Sequence, residues 1–200
     1  MSLSEVGIYN LALRHLGHST EVQDRDEDTE PAAACRRFYE QALHEALRDF
    51  PWPFATKVAA LALAGTDPVP GYGYSYTMPT DCMFFRRILS GRWNDSRSTR
   101  VPSTIIYGAT GELICCNLSE ATAEYTVRVT DPTRFPADFA QGVALLLAAY
   151  IAPSVTGGDP AKLGVQALQK YMLRMSKAQA NAANEEQAEQ SPVSSFEEAR

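Results

Sequence analysis

Residues 42–63 read ALHEALRDFPWPFATKVAALAL, and within that stretch the periodicity changes from helix to strand. Upstream, Cys35, Phe38, Tyr39, Ala42, Ala46, Leu47 and Phe50 recur at helical spacing and mark one apolar face. Pro51 and Pro53 then bracket Trp52. Each proline removes a backbone donor and biases the residue before it away from helix, so PWPF is a stiff extended turn. Trp52 and Phe54 are placed to pack the helical part against the strands beyond the turn. From Thr56 onward the period shifts toward two.

Toward the N-terminus, a first helix is expected from about Ser4 to Leu16. Ser4 is its cap, Val6, Tyr9, Leu13 and Leu16 its apolar row, and Gly17 its stop. Between Glu21 and Glu30 stand six acidic residues and one arginine, which read as a solvated loop. Thr29 and Pro31 open the second helix.

Beyond the PWPF turn, six strands are expected: Thr56–Ala64, Tyr74–Met78, Met83–Leu89, Ser103–Tyr107, Glu112–Asn117 and Ala123–Thr130. DPVPGYG, PTD, GRWNDSRS, GATG and LSEA supply the turn chemistry between them. In the last strand Ala123, Tyr125, Val127 and Val129 alternate with polar residues, the pattern of a strand with one wet face. Pro132 and Pro136 end this region. A third helix follows, with Phe139, Val143, Leu146, Leu147 and Tyr150 inward and its greasiest run, Val143–Ala152, bounded by Gly142 and Pro153. A fourth carries Leu163, Ala167, Tyr171, Met172 and Met175 as its inner stripe and fades into a polar stretch.

The fold class is therefore α+β: a bundle of about four helices with an inserted antiparallel β-sandwich or small barrel. Residues 1–53 and 131–190 form the helical domain, 54–130 the insert and 191–200 a C-terminal tail. Composition agrees with a globular chain, with 45% apolar and 21% charged residues. No uninterrupted apolar run reaches the roughly 18 residues that span a bilayer. The N-terminus lacks the pattern of a secretory signal, which points to the cytoplasm as the place of synthesis. The formal charge of −6 argues against general affinity for the outer surface of DNA. Cys35, Cys82, Cys115 and Cys116 lack zinc-site spacing and read as buried thiols. No metal and no cofactor is expected.

Four pieces of the chain, in order, carry a resemblance: NLALRHLG, ACRRFYEQALHEALRDFPWPFAT, GYGYSYTMPTDCMFFRRI and the ending SSFEEAR. Together they resemble the head-to-tail adaptors of tailed phages, the tail tubular protein A or gatekeeper group. The match runs over about residues 8–90 and returns at the C-terminus. Phe196 and Glu197 depart from the family, where tryptophan and an aliphatic residue are common, and 91–102 has no counterpart. The resemblance implies a virion part in the neck between head and tail. It would form a ring, usually dodecameric, that docks under the portal protein, presents a site to the next tail or nozzle protein and lets genomic DNA pass. It also implies portal contact by Ser194, Ser195, Phe196, Ala199 and Arg200.

On their own chemistry, those tail residues fit a docking peptide with Phe196 as anchor and Arg200 as charge clasp. They also fit an inconsequential chain end. Arg86, Arg87, Arg92, Arg97 and Arg100 fit an acidic surface on a neighbouring subunit, DNA phosphate, or a solvated loop. Tyr72, Tyr74 and Tyr76 alternate on one side of a strand, either as core or as an inter-subunit or tail-facing contact. The isolated chain is expected to be mainly monomeric, because its polar helix and acidic loop lack the apolar area to hold a ring alone. The alternative is a small cytoplasmic enzyme, hydrolytic or nucleotide-handling, using Cys82 with His44 or the acidic loop. No Gly-rich phosphate loop, GxSxG or HExxH accompanies it.

Overall fold

The computed structural model describes residues 3–19, 21–91, 100–108, 111–157 and 159–185. Among the described residues, four α-helices and two antiparallel sheets make up the α+β fold. Helix α1 spans Glu5–His15; the Ser4 hydroxyl accepts from the Gly7 N–H at 3.0 Å, and Gly17 takes the left-handed φ of 78° that ends the helix. Helix α2 spans Glu30–Asp49 and opens with Pro31 in its first turn, but the Thr29 side chain makes no capping bond. It stops at Phe50, whose backbone is extended before Pro51.

The acidic segment between α1 and α2 is more constrained than a solvated loop. Asn10 grips Val22 at both ends, donating to its carbonyl and accepting from its N–H, each at 2.8 Å. Val22 is buried, and Arg25 pairs with Glu5 at 3.0 Å while Arg14 pairs with Glu21 at 2.7 Å. The loop therefore lies back along α1.

Helix α3, Ala137–Val155, is the axis of the helical part, and helix α4, Pro160–Glu185, packs beside it. α1, α2 and α4 all lie against α3, so burial runs round it from Phe139 and Ala140 through Leu145 and Ala148 to Ala152, beyond the single inward stripe expected. By length and composition α3 could cross a membrane; here that apolar surface is spent on three neighbouring helices. Pro153 lies inside its last turns and does not end it. At Gly142 a Cβ would come within 2.4 Å of Met175 Sδ, so the missing side chain sets how closely α4 approaches. Met175 and Tyr171 of α4 are buried, but Met172 is not: it is 61% exposed, against the expectation that it faces inward.

Among the described residues seven strands follow α2: β1 Thr56–Ala60, β2 Leu63–Val69, β3 Tyr72–Thr77, β4 Cys82–Leu89, β5 Ser103–Gly108, β6 Gly111–Cys116 and β7 Thr122–Val127. One sheet has the order β1-β7-β4, the other β2-β3-β6-β5, and they do not close into a barrel. The expected strand Thr56–Ala64 is two strands in different sheets, broken at residues 61–62. Part of the expected DPVPGYG turn is strand as well. β2 tolerates Pro68 because it is an edge strand with irregular pairing between Thr66 and Val69. The turn itself narrows to Pro70-Gly71, with Gly71 at φ 96°. Between the sheets Tyr76, Ile114 and Cys116 meet Ile88, Ala123 and Tyr125 in one apolar cluster.

His15 supplies a test of this packing. Burial lowers its pKa, the Lys170 and Arg174 charges on α4 push the same way, and a hydrogen bond with Gln141 on α3 opposes them. The folded chain therefore refuses a proton that the unfolded chain accepts below its ordinary value of 6.5. Stability from this group is complete above pH 6.5 and is lost as pH falls below it. Urea denaturation across that range should show a steeper acid loss in the wild type than in His15→Gln; equal slopes would contradict this.

Candidate functional site

The expected arginine patch divides in the structure. Arg86 and Arg87 stand next to each other on β4, where simple alternation would send them to opposite faces. Pairing with β7 slips between Phe85 and Arg87, so Arg86 is an extra residue opposite β7. Phe85 and Ile88 consequently share the inner face, and Phe84 and Arg87 the outer one.

The outer face of β7 is not wet. Arg87 donates to Glu124 Oε2 through Nε and Nη2 at 2.9 and 2.7 Å. Arg86 Nε donates to Thr126 Oγ1 at 2.9 Å, and Thr126 is fully buried. Arg86 Nη2 lies within 3.1 Å of the carbonyl oxygens of Leu47, Arg48 and Phe50. Leu47 and Arg48 lie in the last turn, where a helix leaves carbonyls without partners, while the Phe50 carbonyl also accepts from the Trp52 N–H at 2.9 Å; the positive guanidinium also meets the negative end of the α2 dipole. Burial, then repulsion from Arg48, lowers the Arg86 pKa; the Phe84 ring lies 4.5 Å from Arg86 Cζ and 4.9 Å from Arg48 Cζ. Both cations are engaged within the chain, so neither is the free intersubunit patch expected of it. Arg100 is exposed. Arg92, Arg97 and the tail residues Ser194, Ser195, Phe196, Ala199 and Arg200 lie outside the described residues.

The three tyrosines also divide. Tyr76 is core, 1% exposed, with its hydroxyl donating to the Leu118 carbonyl at 2.5 Å. Tyr74 packs at the edge of the same cluster, and Tyr72 is half-buried. Core packing accounts for Tyr76, which leaves only Tyr72 and Tyr74 with surface to offer a partner.

Several motif residues hold the joints of the fold, Trp52 and Phe54 as the sequence led one to expect. Trp52 is buried and its Nε1 donates to the Ala46 carbonyl at 2.8 Å, folding the PWPF turn back on α2. Phe139 meets Trp52 and Phe54 edge-on, at 5.1 and 4.9 Å between centroids. Asp81, in the turn from β3 to β4, accepts from Lys57 Nζ at 2.5 Å and from the Tyr125 hydroxyl at 3.0 Å, tying β1 and β7 together. Those bonds, Lys57 first, hold its carboxyl below the usual range.

An open cleft of about 640 Å³ separates α2 from that turn, lined by Glu40, His44, Asp81, Cys82 and Arg128 among others. It brings together the two residues of the alternative reading, Cys82 and His44. The geometry does not activate the thiol. Burial, helped by the charges of Asp81 and Glu112, pushes the Cys82 pKa up to about 11. Cys35 on α2 is pushed up to about 12 by burial alone. Among the described residues no cluster of three His, Cys, Asp or Glu side chains is placed to hold a metal ion.

One surface went unrecognised in the sequence. The outer face of α4 exposes Val165, Leu168, Met172 and Leu173 beside Lys162, Lys170 and Lys177. The available signal was a second apolar row at helical spacing on a helix with no acidic residue before Glu185.

No family model matches the chain, and a search of curated proteins returns no matching relative.

Two outcomes check this geometry. Arg86→Met should destabilise the fold by about 1–3 kcal/mol, because part-buried carbonyls and the buried Thr126 lose a charged partner. Arg86→Lys should recover little of it, having no fork; denaturant midpoints measure both. Alkylation at pH 8 should label Cys82 slowly and Cys35 more slowly still, whereas rapid labelling of Cys82 would mean an activated thiol.

Proposed function

We propose that the chain is a structural head-to-tail adaptor of a tailed phage, a ring subunit that joins the portal to the tail and continues the DNA channel without a chemical step. The supporting observation is the ordered set of four sequence pieces together with what their residues do. Asn10, Trp52 and Asp81, one from each of the first three pieces, fasten respectively the loop after α1, the helix-to-sheet turn and the β3–β4 turn. A resemblance that falls on structural joints supports a shared architecture better than one scattered over the surface. In this reading the four helices are the bundle, residues 54–130 are the inserted sandwich, and 191–200 is the docking tail. The portal, the next tail or nozzle protein and further copies of the chain, twelve in the family's usual ring, are its partners, and DNA passes without specific binding.

A second reading keeps a claim only through the cleft that holds Cys82 and His44. A thiol whose pKa is pushed up to about 11 is a poor nucleophile near neutrality, which favours the adaptor.

The test is assembly. Portal rings mixed with the full chain should form a larger ring complex, seen by sedimentation or negative-stain imaging, and deletion of 191–200 should abolish it. Unchanged docking after the deletion removes the tail from the reading, and no docking by the full chain removes the reading. Alone, the chain should be mainly monomeric at micromolar concentration. Cys82→Ser should leave docking intact; loss of function in that variant with normal folding would favour an enzyme.

A further inference from the structure

The outer face of α4 carries a surface that the described fold leaves open. Val165, Leu168 and Met172 recur three and four residues apart, which makes one continuous row on a helix. Leu173, 77% exposed, stands beside it. Exposed apolar rows of this kind mark interaction sites more often than isolated residues do. Lys162, Lys170 and Lys177 are exposed on the same helix, and none has an ion pair among the described residues. From Pro160 to Asn184 the helix contains no Asp or Glu, although the chain as a whole carries −6. The opposite sign is gathered in the loop Glu21–Glu30. There Asp24, Asp28 and Glu30 are exposed and likewise without ion pairs among the described residues. No ion pair joins that loop to α4 within the described part of the chain.

We propose that the outer face of α4 docks on the Glu21–Glu30 surface of a second copy of the chain. Charge selects the mode. A two-fold contact of α4 on α4 would set lysines against lysines, a like-charge juxtaposition that disfavours it. Contact between the two unlike patches matches sign with sign. It leaves every copy with one patch of each kind open, so association continues until it closes on itself. The proposal deepens the ring reading and rests on it for its biological setting. It also assigns the cationic half of the contact to α4, since Arg86 and Arg87 are occupied inside the fold.

Sedimentation equilibrium of the full chain at low salt and rising concentration tests this. Mass is expected to stay near the monomer at micromolar concentration and, at higher concentration, to climb past the dimer without stopping there, and added salt should reverse it. Lys170→Glu with Lys177→Glu, and separately Asp24→Lys with Asp28→Lys, should each weaken association about tenfold, as two screened charge contacts would. An equimolar mixture of the two variants should restore it, because each contact in an alternating assembly again joins opposite signs. Met172→Ser should weaken association with no change of charge. Circular dichroism checks that these surface variants fold.

A plateau at the dimer, indifference to both charge reversals, or a mixture no better than its components overturns the proposal. So does a wild-type chain that binds anionic vesicles or duplex DNA through α4 and does not self-associate. Portal docking without rescue in the mixture would sink this inference and leave the adaptor reading. Rescue without portal docking would do the reverse.

Discussion

A helix ends in carbonyl groups that its own ladder cannot satisfy, and at the end of α2 the chain supplies partners from two places. Trp52, held by the PWPF turn, returns its indole N–H to the Ala46 carbonyl and its backbone N–H to that of Phe50. One guanidinium, sent across from β4, takes up the carbonyls of Leu47, Arg48 and Phe50 and keeps a further donor for Thr126 on β7. Lysine could neutralise the helix end but could not divide its donors between helix and sheet in a fixed plane. Other elements converge on the same helix. The Tyr171 hydroxyl brings α4 to Asp49 at 2.5 Å, Tyr150 of α3 reaches Glu45, and Arg128, just past β7, reaches Glu40. Arg86 and Arg128 thus fasten the strand region to α2, and Tyr171 and Tyr150 fasten α4 and α3 to the same helix.

This explains which parts of the fold were legible in the sequence. The four helices, the change of period at PWPF and the role of Trp52 all follow from local chemistry: apolar spacing, a serine cap, a glycine stop and two prolines. Irregular pairing left less trace. Nothing in MFFRRIL announces the extra residue at Arg86, and charges grouped along the sequence allowed the arginines to read as a surface patch. β7 looked half-wet because Glu124 and Thr126 are polar. Thr126 is buried and Glu124 half-buried, both bonded by arginines some 40 residues earlier, a long-range pairing that no window on the sequence contains. β2 was hidden by its proline, which would exclude a central strand but not an edge.

The surfaces were harder to read for a related reason. Grouping charges by position in the sequence made Arg86–Arg100 look like the positive feature of the chain, and α4 look merely polar. Folding reverses that ranking. Arg86 and Arg87 spend their charge holding β4 against β7 and α2, whereas the lysines of α4 stand on a helix whose other side is occupied by α3. Exposure decides what a charge can do for a partner, and exposure is set by the fold.

The same logic bears on the kind of work the chain does. Its half-buried thiol is held protonated by burial and by a neighbouring carboxylate, and that carboxylate is held ionised by Lys57 and Tyr125, so the two groups that share the cleft with His44 are both committed to structure. Catalysis at such a place would need a group shifted toward reactivity near neutral pH, and here the shift runs the other way. What the fold leaves free is surface: an apolar, cationic helix face and an acidic loop pinned along α1 by Asn10 and Arg25. Pinning a charged loop in place costs conformational entropy and self-repulsion, a cost consistent with a partner meeting it in a fixed position. In the adaptor reading we propose, the exposed face of α4 and the acidic loop are the elements through which copies of the chain would meet.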